Sequence, residues 1–540
     1  MDHALSRKRA KPAATIVVAK DIDCLRSFFK TGITSFRDMR TALRRLERTL
    51  PDILADGSLE TAEGSILASE FQDYVGAYAA SARSLTIFDK VHLEELFESA
   101  PSLYGHLLLE KATVAFRRGD YDEVGARVAE ARSRFDVAGE KFGLALCSFH
   151  EARLNHRKHK PEEARSAGLQ TLEMFTGSSA NPYRAALSHL LLAWIAFWTN
   201  AGGEMESHLL QAAGGLQNFD DPVHQGRIAL VRALAGRASS STSIEFDAAA
   251  ALFGEARKQF QAAGHVSYLA TTKNNFGLLQ VRRGEFTAAA RTLAEYADAP
   301  SELPPRVRVE NLYFKSRLHL EQGDAQKALA AADKTIAQAR LYGLISLETE
   351  ATIVKARAQF SSDDPTVNDT VDTAEKLIAK RANRRVEAAY WLLEAERECR
   401  RRRPDKDLAE ACLKKAVDSI RPLTNVYLQS WADHIAFRLA HLFEGALYLR
   451  PRLPSLAYDA HKRQLKIWLI VVAISRSARD KKGLASRADV AKSLGVRRQL
   501  LEHWLKRLAV FPDDSSETRA DIAHIQKSLR PRKSRTRKVS

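Results

Sequence analysis

Near its C-terminal end this 540-residue chain places side chains that suit a nucleic-acid duplex. Arg497, Arg498 and Gln499 are consecutive, and Glu502 and His503 follow within about one helical turn. An arginine fork matches the O6/N7 edge of guanine, and a glutamine amide matches the N6/N7 edge of adenine. Lys481, Lys482, Arg487, Lys492, Lys506 and Arg507 flank them and supply charge for phosphates, which anchors without reading sequence. The formal charge is +17, and its placement says more than its size. From Arg450 to Ser540 there are 23 Lys and Arg against 8 Asp and Glu, and the rest of the chain has 60 against 58. A nearly neutral body thus carries a polyanion-seeking end, with a merely solubilising basic tail as the alternative.

Side chains aimed at a groove need a rigid support, and the residues between them describe one. Counting from Arg487, Val490, Ala491, Leu494, Gly495, Val496, Leu501 and Trp504 fall at the fourth, fifth, eighth, ninth, tenth, fifteenth and eighteenth places. A small residue stands where two helices cross, and a glycine stands where the turn needs positive φ. Apolar residues hold the shared core. The segment resembles the helix-turn-helix template, with Ser486 as N-cap of the first helix and Arg497, Arg498 and Gln499 opening the second, the recognition helix. Together with the long helix expected from Tyr458 to about Ser475, it resembles the Fis-type end of bacterial regulators. It departs from that type at Arg479 to Gly483, where a Gly-Gly-Asn-like turn is usual, and at Arg497, where Ser or Thr is usual. The resemblance implies double-stranded DNA as a partner and pairing into a homodimer.

The body repeats. Gly119-Asp120, Gly284-Glu285 and Gly323-Asp324 mark turns between helix-like runs. Weaker markers lie near 159, 203, 243, 363 and 403, so the spacing is about 40 residues throughout. A fixed period of this length marks stacked helix pairs. Gly323-Asp324-Ala325-Gln326-Lys327-Ala328 resembles a tetratricopeptide element, and the longer period resembles the repeats of MalT-like bacterial regulators. The expected fold is all-α: a tetratricopeptide-like α-solenoid followed by a small helix-turn-helix domain. The expected boundaries are a disordered basic arm over 1–20, an N-terminal helical region over 21–84, the solenoid over 85–450, the helix-turn-helix domain over 455–510 and a disordered basic tail over 511–540.

The groove of such a solenoid is expected to take a protein, a peptide or a small ligand. Arg282-Arg283, Arg384-Arg385 and Arg400 to Arg403 read as solvated helix ends, with carboxylate contacts as the alternative. Trp194, Phe197 and Trp198 read as core rather than a ligand cage. No phosphate loop, dinucleotide fingerprint, zinc-protease or nucleophile-elbow motif occurs, and His150-Glu151 with His156 has the wrong spacing for a zincin. No enzyme activity, cofactor or metal is therefore expected. Four scattered cysteines fit a reducing cytoplasm. The apolar run Leu465–Ile474 is too short to span a bilayer, so a cytoplasmic, nucleoid-associated protein without membrane contact is expected. Two functions fit these features: a sequence-specific transcription regulator with a ligand-binding body, or an interaction scaffold whose basic end binds nucleic acid nonspecifically or not at all. In gel-shift titrations at physiological salt, the first requires Arg498→Ala to lose discrimination between a preferred site and random DNA, and Lys482→Ala to weaken binding to both alike. The second requires no preferred site to survive competition.

Overall fold

The computed structural model describes residues 12–32, 35–53, 59–85 and, apart from a few residues at helix junctions, 98–442. Beyond these it describes single residues, among them Ser486, Val490, Leu501, Ile522, Ile525 and Leu529. The described residues form twenty-one helices. Four come first: α1 (Pro12–Thr31), α2 (Phe36–Ile53), α3 (Leu59–Tyr74) and α4 (Tyr78–Leu85). Eight antiparallel pairs follow. The inner members are α5 (Pro101–Arg118), α7 (Lys141–Arg157), α9 (Pro182–Thr199), α11 (Pro222–Ser239), α13 (Val266–Arg283), α15 (Pro305–Glu321), α17 (Ile345–Ser361) and α19 (Arg384–Arg400). The outer members are α6 (Tyr121–Ala138), α8 (Pro161–Thr176), α10 (Gly202–Leu216), α12 (Ser243–Ala263), α14 (Phe286–Ala294), α16 (Ala325–Leu341), α18 (Val367–Lys380) and α20 (Lys406–Ile420). A last inner helix, α21 (Val426–Leu442), closes the series.

Every turn marker read from the sequence falls between, or at the junction of, the two helices of a pair. Gly119, Gly284 and Gly323 take φ of 88°, 82° and 76°, the left-handed region open to glycine. At the corresponding place in the seventh pair Asp363 takes φ 51°. The acid after the glycine caps the outer helix in two of the three strong markers. Asp120 accepts from the Glu123 amide and Asp324 from the Lys327 amide, each at 3.1 Å. Glu285 makes no such bond. In the fourth pair the marker is a full capping box between Thr242 and Glu245.

Small residues set the depth of packing. Phe135, near the end of α6, is fully buried between Gly105 of α5 and Gly143 of α7, where a β-carbon on either glycine would run into its ring. Phe260 of α12 meets Gly226 of α11 in the same way. These glycines and the fully buried Ala131, Ala164, Ala212, Ala256 and Ala332 let neighbouring helices approach closely, and a small rotation per pair then accumulates into a superhelix. The turn is tight. Arg385 of the eighth pair lies over the Trp198 ring of the third at 5.5 Å, Tyr342 after the sixth pair comes up against Gly119 of the first, and α11 of the fourth touches α21. One superhelical turn therefore takes about five pairs.

The termini depart from expectation. Residues 12–20, expected within a disordered arm, begin α1. The region over 21–84 is part of the solenoid's core: Ile22, Leu25, Leu43, Leu46 and Phe71 share one apolar cluster with Tyr183, Leu187, Leu190 and Leu209. The Phe36 amide also donates to Asp220 at 2.9 Å. Within the expected disordered tail, Ile522 and Ile525 are helical and buried. No helix among the described residues is long and apolar enough to cross a membrane.

Two glycine substitutions test the packing. Gly143→Ala places a methyl against the Phe135 ring and is expected to destabilise by about 1–3 kcal/mol through overpacking. Gly254→Ala, on the exposed face of α12, meets nothing within 4 Å and is expected to stabilise by about 0.5–1 kcal/mol through helix propensity. Urea midpoints moving in opposite directions are the readout.

Candidate functional site: an arginine-lined interior

The coil surrounds a cavity of about 950 Å³ that is partly open to solvent, near the upper end of the range of small-ligand sites. Its wall is made mainly by the inner helices, with Glu70, Asp73 and Tyr74 of α3 at one end and Tyr427 and Trp431 of α21 at the other. Among the described residues the wall carries thirteen arginines, six carboxylates and no lysine. Aromatic rings lie between the guanidinium groups: Arg153 is 4.5 Å from Phe116, Arg317 is 4.1 Å from Tyr427 and Arg357 is 4.5 Å from Trp431. Such contacts hold a guanidinium in place by cation–π attraction without consuming its donors.

The end nearest α3 is internally matched. Arg117 donates two hydrogen bonds of 2.9 Å to Asp73, and Arg184 donates one of 3.0 Å to Glu70. Burial opposes the charge on Asp73, but Arg117 outweighs it and holds the carboxyl below its ordinary range. Glu110 has no such cation. Burial, then the charges of Glu70 and Asp73, push it well above the usual carboxyl range, and the Ser69 hydroxyl donates to it at 3.2 Å. Asp221, fully buried, accepts from the hydroxyls of Tyr74 at 2.5 Å and Tyr183 at 2.8 Å and from the His224 amide at 2.9 Å. These bonds tie α3 to α9 and α11. Burial empties His150 and His265 of their protons, taking both down to about 3.

The middle of the wall is less well matched. Arg237, Arg282, Arg317 and Arg385 all face it. Burial, then the charges of Arg282, Arg385 and Arg317, bring Arg237 down to about 9. Burial and Arg117 bring Arg153 to about 10, and burial and Arg306 bring Arg157 to about 10. The Nε atoms of Arg227 and Arg237 are buried without a hydrogen-bond partner among the described residues. Arg385 pairs with Glu350, and Arg306 with Glu310 at 2.8 Å. No group of His, Cys, Asp and Glu among the described residues is arranged to hold a metal.

The sequence-predicted positions divide. Arg282, Arg384 and Arg385 line the cavity; Arg282 is buried and Arg385 half-buried against Glu350, so these two are not solvated helix ends, whereas Arg384 is exposed at the start of α19. Arg283 and Arg400 contact carboxylates of the protein itself, Asp247 across helices at 2.6 Å and Glu396 within one helix at 3.2 Å. Trp194, Phe197 and Trp198 border the cavity, although Trp194 and Phe197 also pack on the core. In the C-terminal segment, Val490 and Leu501 are helical and fully buried, and the Val490 amide donates to the Ser486 carbonyl at 3.0 Å. Lys481, Lys482, Arg487, Ala491, Lys492, Leu494, Gly495, Val496, Arg497, Arg498, Gln499, Glu502, His503, Trp504, Lys506 and Arg507 lie outside the described residues. Sequence reasoning missed the other cavity arginines, and the repeat period would have found several. Arg117, Arg157, Arg237, Arg317 and Arg357 stand at intervals of forty or eighty residues, near the ends of five inner helices.

No protein-family model matches the chain, and no curated protein matches it. Among solved structures it aligns with the crystal structure of the yeast Tom70 at 13% identity and a TM-score of 0.31, over 96% of this chain and 95% of that one. A structure of Naa15/Naa10 bound to HypK-THB aligns at 12% identity and 0.23, over 95% and 96%. A circular tandem repeat protein aligns at 13% and 0.14, over 96% and 98%. Scores of this size carry no argument, and the helical-repeat fold stands on the helices described above.

The buried histidine sets a pH dependence. His265 folds with its pKa near 3, against about 6.5 unfolded. Below about pH 6.5 the unfolded chain takes a proton that the folded chain refuses, so stability falls with pH until about pH 3. His265→Asn keeps an N-cap acceptor for the Tyr268 amide and removes the titration. The wild type is expected to lose about 1.4 kcal/mol per pH unit relative to this variant between pH 6 and 4, read by urea denaturation at each pH.

Proposed function

We propose that the chain is a helical-repeat binding scaffold whose interior holds an anionic ligand or an anionic segment of a partner. One observation carries this reading: among the described residues, the inner helices bring thirteen arginines to one partly open cavity whose wall holds six carboxylates. Like charges in a partly dehydrated site repel and are poorly solvated, so a site of this composition is stabilised by what neutralises it. Arginine rather than lysine favours planar, two-toothed contacts with oxyanions. The aromatic rings between the guanidinium groups add apolar surface for the rest of a bound molecule. A binding role without catalysis accords with the missing catalytic motifs.

A second reading concerns the far end of the chain: a DNA-binding helix-turn-helix that the solenoid controls. It is supported by the concentration of positive charge beyond Arg450 and by the burial of Val490 and Leu501, two of the places where that motif needs apolar side chains. The two readings are compatible, because one concerns the body and the other the end.

Trp194, Trp198 and Trp431 border the cavity and report on its contents. Hexaglutamate is expected to change tryptophan emission with an affinity that weakens as salt rises, and hexaglutamine is expected to leave it unchanged. Emission unmoved by hexaglutamate and by inorganic tripolyphosphate alike would contradict an anion-binding interior.

A further inference from the structure

One helix of the body carries a line of positive charge on its outside. On α2, Phe36, Met39, Ala42, Leu43 and Leu46 are buried, and all but Ala42 belong to the apolar cluster that the N-terminal helices share with the third and fourth pairs. Opposite that face Arg37, Arg44 and Arg48 are exposed. Their spacing of seven and then four residues puts them on one side of a helix, with Thr41 in the same line. Arg40 lies beside them, half-buried against Gly264 at the end of α12. Among the described residues none of these four arginines is paired with an acid. The fifth arginine of α2 differs: Arg45 is bonded to Asp21 at 2.6 Å. We propose that this arginine stripe is a docking surface for the phosphate backbone of double-stranded DNA.

The composition of the face selects this occupant. From Arg37 to Arg48 the stripe is about 16 Å long, and besides the arginines the described exposed positions of α2 are Asp38, Thr41 and Glu47. A helix that lies on a membrane needs its apolar side for the lipid, and that side of α2 is buried in the core. A protein interface has an apolar centre, and a single strand needs rings on which its bases stack; the face offers neither. The backbone of a duplex asks only for charge, which anchors it without reading sequence. The excess of Lys and Arg beyond Arg450 seeks the same polyanion, so two separate parts of the chain suit one long duplex. The stripe requires neither the cavity nor a base-reading helix. The choice of DNA over RNA rests on the second reading above, because Arg498 and Gln499 suit the major groove of DNA and the deep, narrow one of RNA admits no side chain.

The test measures binding of the full chain to a labelled DNA duplex of about 30 base pairs and random sequence, by fluorescence anisotropy from about 0.05 to 0.3 M salt. The triple variant Arg37→Ala, Arg44→Ala and Arg48→Ala is expected to bind about tenfold or more weakly, with the slope of log affinity against log salt smaller by about three. Lysine at the same three positions is expected to keep most of the affinity, since anchoring a phosphate needs charge. A control variant, Arg291→Ala, Lys334→Ala and Lys376→Ala, removes three exposed charges from α14, α16 and α18 and is expected to bind as the wild type does. Every variant is expected to melt no lower than the wild type, because the altered side chains are exposed. Equal losses in the stripe and control variants would reduce the effect to net charge and overturn the proposal. Unchanged affinity and slope in the stripe variant would overturn it as well. An RNA duplex or a single DNA strand bound as tightly as the DNA duplex would overturn the choice of occupant. Weakened binding by the stripe variant, with no preferred site surviving competition, would support the stripe and remove the base-reading helix.

Discussion

The closeness with which successive helix pairs pack determines the rest of this structure. Glycine and alanine at the contacts, such as Gly105 and Gly143 on either side of Phe135, allow each inner helix to sit near the next. The rotation from pair to pair is then steep enough for the chain to meet itself after about five pairs, as Arg385 meets Trp198. A looser stack would present its inner helices as an open groove, and their side chains would be solvated. In this coil the same side chains line one partly open cavity, where each charge depends more on its neighbours than it would on an open face.

The interior has two electrical characters. Near α3 the arginines are matched by Asp73 and Glu70, and Asp221 is bonded by two tyrosines and His224. These groups fasten the N-terminal helices to α9 and α11 and close that end. Around Arg237 the arginines come from four pairs, with Glu350 against Arg385 and Glu321 against Arg317. Electrostatic pairing acts as structure at the first place, and at the second the Arg237 Nε is buried without an acceptor among the described residues. A buried donor left without an acceptor costs stability, and this one belongs to the wall that Trp198, Tyr313 and Tyr427 also line.

The repeat was legible because its signal is local. Glycine with positive φ and the acid after it are chemistry of a few consecutive residues; they marked three turns, at Gly119, Gly284 and Gly323, and the forty-residue period carried the count to the other five. The reading of Arg282 and Arg385 as solvated helix ends failed for a non-local reason. Whether a helix end meets water depends on the superhelical rotation summed over five pairs, and no short stretch encodes that sum. The phase of the arginines was nevertheless written in the sequence, at 117, 157, 237, 317 and 357. The N-terminal helices were misjudged as a separate region because their partners, such as Tyr183 and Leu187, lie more than a hundred residues away. The base-reading positions Arg497, Arg498 and Gln499 remain a reading of the sequence, outside the described residues.

The closed coil is the claim on which the cavity and its chemistry depend, and cross-linking tests it most directly. The photoreactive residue p-benzoylphenylalanine in place of Trp198, activated in the full chain and mapped by mass spectrometry, is expected to capture the peptide that contains Arg384, Arg385 and Val386. Cross-links confined to neighbouring helices such as α7 and α11 would show an open solenoid and contradict the account.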